Sequence, residues 1–163
     1  MQKSNRQADF QQQLQQIEQA AGALEGSDAV RRKQAEKELL QLRKQSKPYG
    51  VCLFILEHSS VSAAQFAAAG AIREACLREW HTVAAQAETI RDKLLLFAVN
   101  RTLPKFLQLQ LLHTVAVIFK RGFFRGGGGT GEKVCNLMMN QVEKLMRMGA
   151  EQQSIGASYV ISI

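Results

Sequence analysis

The sequence contains few of the residues that interrupt helices or cross-link chains. It has 2 prolines, 1 tryptophan and 3 cysteines among 163 residues, and both prolines stand where a helix could begin. The longest unbroken apolar runs, Val51 to Leu56 and Leu94 to Val99, have six residues each, which is far shorter than the roughly 20 residues that span a bilayer. The opening MQKSNRQADF is polar, so we expect no secretory segment there. These absences favour an all-helical protein without a membrane partner.

Charge is abundant but is not concentrated in one segment. The formal net charge of +7 comes from 9 basic and 6 acidic residues in 1–50, 6 and 5 in 51–110, and 6 and 3 in 111–163. Nucleic-acid binding usually needs a dense basic stripe, so we expect no direct nucleic-acid partner. Diffuse attraction to an acidic protein suits this charge better. A basic helical nucleic-acid binder stays an alternative, which predicts salt-dependent retention of RNA or DNA.

No motif for catalysis or metal binding emerges. The segment GGGGTGEK resembles a Walker A loop, G-x-x-x-x-G-K-[ST], but Glu132 occupies the lysine position and no serine or threonine follows Lys133. We therefore expect a flexible loop between helices and predict a non-enzyme without cofactor. The three histidines lack metal-ligand spacing. An odd number of cysteines in apolar settings, without CxxC spacing, predicts buried thiols in a reducing compartment: Cys52, Cys76 and Cys135.

Apolar residues recur at helical spacing along the chain. Eight helices are predicted to begin near positions 9, 29, 48, 62, 86, 104, 132 and 152. Asp28 is the expected N-cap of the second helix. Ser62 and Gln65 form an S-x-x-Q capping box at the start of the fourth, whose buried side reaches Trp80. We expect Trp80 to fill space between repeats, and a partner-binding anchor is the alternative.

The helices group into pairs that recur every 38 to 46 residues, close to the period of about 40–47 in HEAT or armadillo arrays. We predict an all-α protein, a right-handed α-solenoid of HEAT-like helix pairs; a closed eight-helix bundle is the alternative. Because the last helix is apolar after Glu151, we expect the array to continue beyond it. The predicted segments of this single domain, 1–163, are repeats at about 8–46, 47–83 and 84–122, a glycine-rich loop at 125–131 and a partial repeat at about 132–163.

Three stretches of the sequence resemble the start of an exportin of the importin-β (karyopherin) superfamily. They are S-K-P-aromatic-x-V-C-x-x-I-L-E at 46–57, F-x-A-A-x-A-I-x-E-A-x-x-R-E-W at 66–80, and V-A-V-I-x-K-R-G-aromatic at 115–123. IEQAAGAL at 17–24 fits the first helix of the same pattern. The resemblance implies the amino-terminal region of a nuclear export receptor that shuttles between nucleus and cytoplasm. Its implied partners are Ran-GTP, protein cargo and nuclear pore components.

In that family Ran-GTP binds against the second helices of the first repeats, and other repeats hold the cargo. A basic, helix-lined surface would steer an acidic partner by long-range attraction. A generic HEAT-repeat scaffold that binds peptides or helices without a GTPase partner is the alternative, and competition by Ran discriminates the two. The candidate Ran-facing residues are polar positions expected to face solvent on the second helices: Arg32, Glu36, Arg43, Gln65, Arg73, Arg78, Gln110, Lys120 and Arg121.

Overall fold

Every regular element that the structure, a computed structural model, describes is a helix. The described residues are 2–100 and 103–125, together with Asn136, Met139, Asn140 and Glu143. No strand occurs among them, and the predicted all-α fold class is confirmed. The helices are α1 (Gln2–Glu25), α2 (Ala29–Lys44), α3 (Tyr49–His58), α4 (Ser62–Arg78), the short α5 (Trp80–Val83), a 3-10 turn (Ala84–Gln86), α6 (Ala87–Asn100) and α7 (Lys105–Arg125).

The chain divides into two compact units, Met1–Val117 and Ile118–Ile163. In the first unit α1 packs on α2, and α3 packs on α4. The first helices α1, α3 and α6 contact one another in sequence, and the second helices α2 and α4 also contact each other. Stacked pairs of this kind are the arrangement of an all-α helical repeat, which confirms the predicted class. The right-handed superhelical sense and the repeat boundaries stay predictions.

Several helices begin where local signals in the sequence place them. Asp28 caps α2, because its Oδ1 accepts hydrogen bonds from the backbone N–H groups of Val30 (2.9 Å) and Arg31 (3.2 Å). Pro48 immediately precedes α3, where its missing N–H removes no helical hydrogen bond. α1 differs from the expectation, since it begins at Gln2 rather than near residue 9. The polar residues before Asp9 include no glycine or proline, so nothing in them stops the helix.

The predicted capping box at the start of α4 is wrong. Val61 occupies the cap position without a side-chain hydrogen bond, and Ser62 is already the first helical residue. The Nε2 of Gln65 donates instead to the carbonyl oxygens of Leu56 (3.2 Å) and Ser59 (2.8 Å) at the end of α3. Carbonyls at a helix C-terminus lack partners within their own helix. Gln65 therefore donates hydrogen bonds to the free carbonyl groups at the end of α3 and does not cap its own helix, α4.

α4 is the helix on which the first unit is assembled. Its buried side consists largely of alanine, so neighbouring helices can approach its backbone closely. Thr114 Oγ1 of α7 lies 3.3 Å from the carbonyl oxygen of Ala69, and the rings of Phe66 and Phe106 pair at 5.7 Å between centroids. The alanines without measurable exposure are Ala64, Ala68, Ala69, Ala71 and Ala75.

The fourth helix ends earlier than its apolar pattern predicts. Glu79 leaves the helical region with φ −122° and ψ 37°, and a new short helix starts at Trp80. The Trp80 side chain is buried, as expected of a space-filling residue rather than an exposed anchor, and its predicted place between repeats stays a prediction. In the second unit Ile118 is buried and Phe123 is exposed. Cys135, the loop beyond Arg125 and most of the predicted partial repeat lie outside the described residues.

Candidate partner-binding surface

The predicted Ran-facing residues differ in their exposure. Arg32, Glu36, Arg43, Arg78 and Lys120 are exposed, Arg73 and Arg121 are half-buried, and Gln65 and Gln110 are buried. The expectation that Gln65 and Gln110 face solvent is therefore wrong. Both amides turn into the helix layers, Gln65 toward the end of α3 and Gln110 toward α4. Lys120 and Arg121 belong to the second unit and are described separately from the others.

Three second helices meet at Gly70 of α4. A Cβ atom built on Gly70 would lie 3.4 Å from Nε2 of Gln110 in α7, and 3.8 Å and 3.9 Å from Nε and Nη2 of Arg43 in α2. Arg73 follows Gly70 by one helical turn, so it lies on the same side of α4. We call Arg43, Gly70, Arg73 and Gln110 the cradle. Any side chain larger than a methyl group at position 70 would occupy the space that the guanidinium and the amide now fill.

The polar atoms of the cradle have few partners within the protein. Neither the Arg43 guanidinium nor the Gln110 carboxamide makes a hydrogen bond or ion pair with another side chain that the structure describes. Gln110 is nevertheless only 8% exposed. Arg73 contacts Glu74 at 3.4 Å, but its buried Nε has no partner within the described ranges. The cradle is therefore rich in donors, which is the chemistry that binds oxyanions.

Arg78, predicted to face a partner, holds the end of α2 instead. Its Nη1 donates to the carbonyl oxygen of Arg43 at 3.1 Å and its Nη2 to that of Gln45 at 3.0 Å. The guanidinium also pairs with Glu79 at 3.0 Å. The last carbonyls of a helix lack intrahelical partners and carry the negative end of its dipole, so a cation is favourable there. Arg78 thus joins the end of α4 to the end of α2.

Glu79 completes this contact, and we call Arg78 and Glu79 the clamp. Its Oε2 accepts hydrogen bonds from Ser46 Oγ (3.1 Å) and from the backbone N–H of Lys47 (3.3 Å). Desolvation opposes the charge of the carboxylate, but the hydrogen bonds from Arg78, Ser46 and Lys47 together outweigh it and lower the pKa of Glu79. Lys47 has φ 50°, a left-handed conformation that is uncommon for residues other than glycine. The clamp holds that turn in place.

Sequence reasoning did not identify Gly70 as the point where three helices meet, or Glu79 as a residue that joins α4 to the connection between α2 and α3. A signal for Gly70 was present, because glycine within a run of helical alanines costs about 1 kcal/mol of helix propensity and often marks a close approach. No comparable signal exists for Glu79, whose partners lie 32 and 33 residues earlier in the chain. Only the fold brings the α2–α3 connection to the end of α4.

A groove of about 760 Å³ lies along α1 and α2. Its walls consist mainly of carboxamides, which can both donate and accept hydrogen bonds. The groove belongs to the first helix pair and does not include any cradle residue. The lining residues are Gln13, Gln16, Ile17, Gln19, Gln34, Glu38, Gln41, Leu42, Lys44 and Gln45.

The buried thiols of the first unit are not candidate nucleophiles. Cys52 and Cys76 are free and buried, as predicted. Desolvation raises the pKa of Cys76 to about 12 and also raises that of Cys52, so both stay protonated near neutral pH. Within the described ranges, no group of three or more His, Cys, Asp or Glu side chains could hold a metal ion. None of the helices described above is long and apolar enough to cross a membrane.

Comparison with known proteins identifies a matching protein family and a related curated protein. A family model described as Exportin-4 matches residues 8–162. Among curated proteins, the Exportin-4 of Dictyostelium discoideum is 28% identical over 115 residues, which are 68% of this chain and 10% of the relative. The chain therefore spans about a tenth of the length of that curated relative.

Proposed function

Because this chain belongs to the exportin-4 family, we propose that it is the amino-terminal part of a nuclear transport receptor and that it binds Ran in its GTP-bound form. The family match over residues 8–162 carries the proposal. In the complete receptor, protein cargo would be bound by segments outside this chain and exported from the nucleus. The receptor would shuttle between nucleus and cytoplasm through contacts with nuclear pore components. No catalytic step is required of the chain itself.

The charge on the second helices supports a basic docking surface for Ran. Arg32 and Arg43 are exposed on α2 and Arg73 is half-buried on α4. Arg32 and Arg43 lie eleven positions apart, which at 3.6 residues per turn places them on nearly the same side of the helix. The exposed Glu36 lies between them on the same side, so the two cations and one anion of this stripe leave a net charge of +1. A net positive surface attracts an acidic partner and orients it during encounter. In the second unit Lys120 is also exposed.

Ran binding would be coupled to cargo binding through the arrangement of the helix pairs. If both ligands favour one arrangement, each raises the affinity for the other, typically by about 1–3 kcal/mol. The clamp supports such a mechanism, because it connects the second helices of the first two pairs. The chain would contribute the Ran-binding half of this coupling.

Nucleotide-dependent capture tests the proposal. The immobilised chain is expected to retain Ran loaded with GTP and to retain much less Ran loaded with GDP. Arg43→Glu should weaken retention because it reverses a charge on the proposed surface. Lys37→Glu is the matched control, since Lys37 is exposed on the same helix but about 120° around its axis from Arg43. Equal capture of the two nucleotide forms, or equal loss in the two variants, would contradict the proposal.

The groove along α1 and α2 favours one other function, that of a peptide-binding scaffold without a GTPase partner. Its carboxamides could pair with both the N–H and C=O groups of an extended main chain. This function predicts no preference for GTP-loaded Ran. It also predicts that Gln16→Ala and Gln41→Ala weaken partner binding more than Arg43→Glu does.

A further inference from the structure

We propose that the cradle binds a single carboxylate from an acidic side chain of a protein partner, with Arg43 and Gln110 as the two principal donors. The proposal rests on the proposed function only in naming Ran as one such partner. The site itself follows from the geometry at Gly70, where side chains of α2 and α7 converge on α4.

The donors are close enough together to share one carboxylate. Nε and Nη2 of Arg43 and Nε2 of Gln110 all lie within 4 Å of a single point, the position that a Gly70 Cβ would take. A carboxylate has two oxygens that can each accept more than one hydrogen bond. One such group can therefore accept from the guanidinium and the amide together, at N–O distances of about 2.7–3.0 Å.

Gln110 brings a second donor to this point. The residue is 8% exposed, and its carboxamide has no hydrogen-bond partner among the residues that the structure describes. The Gln110 amide atoms do not belong to the buried polar atoms that lack a partner, so they reach the surface. An acceptor from outside the chain can therefore contact the Gln110 amide and the exposed guanidinium of Arg43 together.

Charge balance favours a carboxylate over a phosphate. Arg73 is already paired with Glu74 at 3.4 Å, so the charges of these two residues cancel. The cradle therefore has one net positive charge, which belongs to Arg43. That matches a monoanion. A phosphate, with a charge near −1.5 to −2 and three acceptor oxygens, would be undercompensated.

The direct test is an NMR titration of the full chain with sodium acetate, with ionic strength held constant by sodium chloride. The side-chain amide of Gln110 and the Nε–H of Arg43 are expected to shift along one saturating curve. The Nε–H of Arg32, on the same helix but away from Gly70, serves as the internal reference. The proposal would be overturned if the Gln110 signal did not shift. It would also be overturned if the signals of Gln110, Arg43 and Arg32 all shifted in linear proportion to the acetate concentration, without saturation.

Two variants and a second anion sharpen the result. Arg43→Gln should weaken acetate binding at Gln110 about tenfold, the loss expected from one charge-assisted hydrogen bond. Lys37→Gln, which removes the same charge elsewhere on α2, should leave the Gln110 curve unchanged. Inorganic phosphate should bind no more tightly than acetate. Equal weakening in both variants, or clearly tighter phosphate binding, contradicts a carboxylate site.

Capture of Ran-GTP separates this proposal from the proposed function. If acetate saturates the cradle but the chain retains no Ran-GTP, the cradle stands and the Ran assignment fails. If the chain retains Ran-GTP and Arg43→Gln retains it equally well, the assignment to Ran stands and the cradle is not its acidic contact. The expected result is retention by the wild type and by Lys37→Gln, with about tenfold weaker retention by Arg43→Gln.

Discussion

Replacing Arg78 by alanine tests whether the clamp stabilises the first unit. The guanidinium bridges two second helices, because it donates to the carbonyl oxygens of Arg43 and Gln45 and pairs with Glu79. Arg78→Ala removes all three contacts at once. It leaves the hydrogen bonds from Ser46 and Lys47 to Glu79 in place, so the connection between α2 and α3 loses only part of its support.

The expected loss is moderate, since the side chain of Arg78 is 41% exposed. A hydrogen bond to a charged group contributes about 1.5–3 kcal/mol when it is sheltered, and exposed ion pairs contribute about 0–1 kcal/mol. Water can also rehydrate the two carbonyl oxygens after the substitution, because Arg43 and Gln45 are exposed. We therefore expect the free energy of unfolding to fall by about 1–2 kcal/mol.

Urea unfolding followed by circular dichroism measures this loss. Lys37→Ala serves as the control, because Lys37 is an exposed cation of α2 that makes no hydrogen bond or ion pair in the described ranges. It should change the free energy of unfolding by no more than about 0.5 kcal/mol. The reasoning would be refuted if Arg78→Ala and Lys37→Ala had equal effects, since the clamp would then add nothing beyond a surface charge.

Three further substitutions test the packing around the clamp and α4. The pKa of Glu79 is lowered on folding, so its contribution to the free energy of unfolding is complete above the unfolded pKa near 4.5 and is lost as pH falls through the folded pKa. Glu79→Gln should therefore lower the free energy of unfolding at neutral pH. The difference in urea midpoint between the wild type and this variant should become smaller below about pH 4.5. The Tyr49 hydroxyl is buried near the Thr82 side chain but makes no hydrogen bond of good geometry in the described ranges. Tyr49→Phe should therefore raise the free energy of unfolding by about 1 kcal/mol. A loss of stability would contradict this and would mean that the hydroxyl and Thr82 form a stabilising hydrogen bond. Ala69 has no exposed surface, and its carbonyl oxygen lies 3.3 Å from Thr114 Oγ1. Ala69→Leu should therefore overpack this contact, reduce the free energy of unfolding by about 1–3 kcal/mol and lower the melting temperature. An unchanged melting temperature would mean that α4 and α7 are loosely packed.

The elements that the sequence predicts well are those determined by neighbouring residues. Asp28 caps α2 through amides two and three positions ahead, and Pro48 precedes α3 because of its own ring. The apolar stripes succeed for the same reason, since helical periodicity identifies the face that must be buried. Leu14, Leu42 and Ile72 are buried as their spacing predicts.

The sequence predicts poorly the roles of long polar side chains whose partners are distant in the sequence. Gln65 fits a capping box by spacing, yet it binds carbonyls of the preceding helix. Arg78 has the spacing of a solvent-facing residue, yet its partner Arg43 is 35 residues away. A flexible polar side chain can form its hydrogen bonds equally well with water or with a backbone carbonyl. The choice between them depends on which helix ends the fold brings near, and periodicity does not contain that information.

Arg43 belongs to both features of the second-helix layer. Its backbone carbonyl accepts the hydrogen bond from Arg78 at 3.1 Å, while its guanidinium lies over Gly70 in the cradle. A partner that binds the guanidinium therefore acts on the same residue whose backbone anchors α2 to α4. Binding energy at the cradle can favour one arrangement of the first two helix pairs, because ligands shift an equilibrium by their differential contacts with its states.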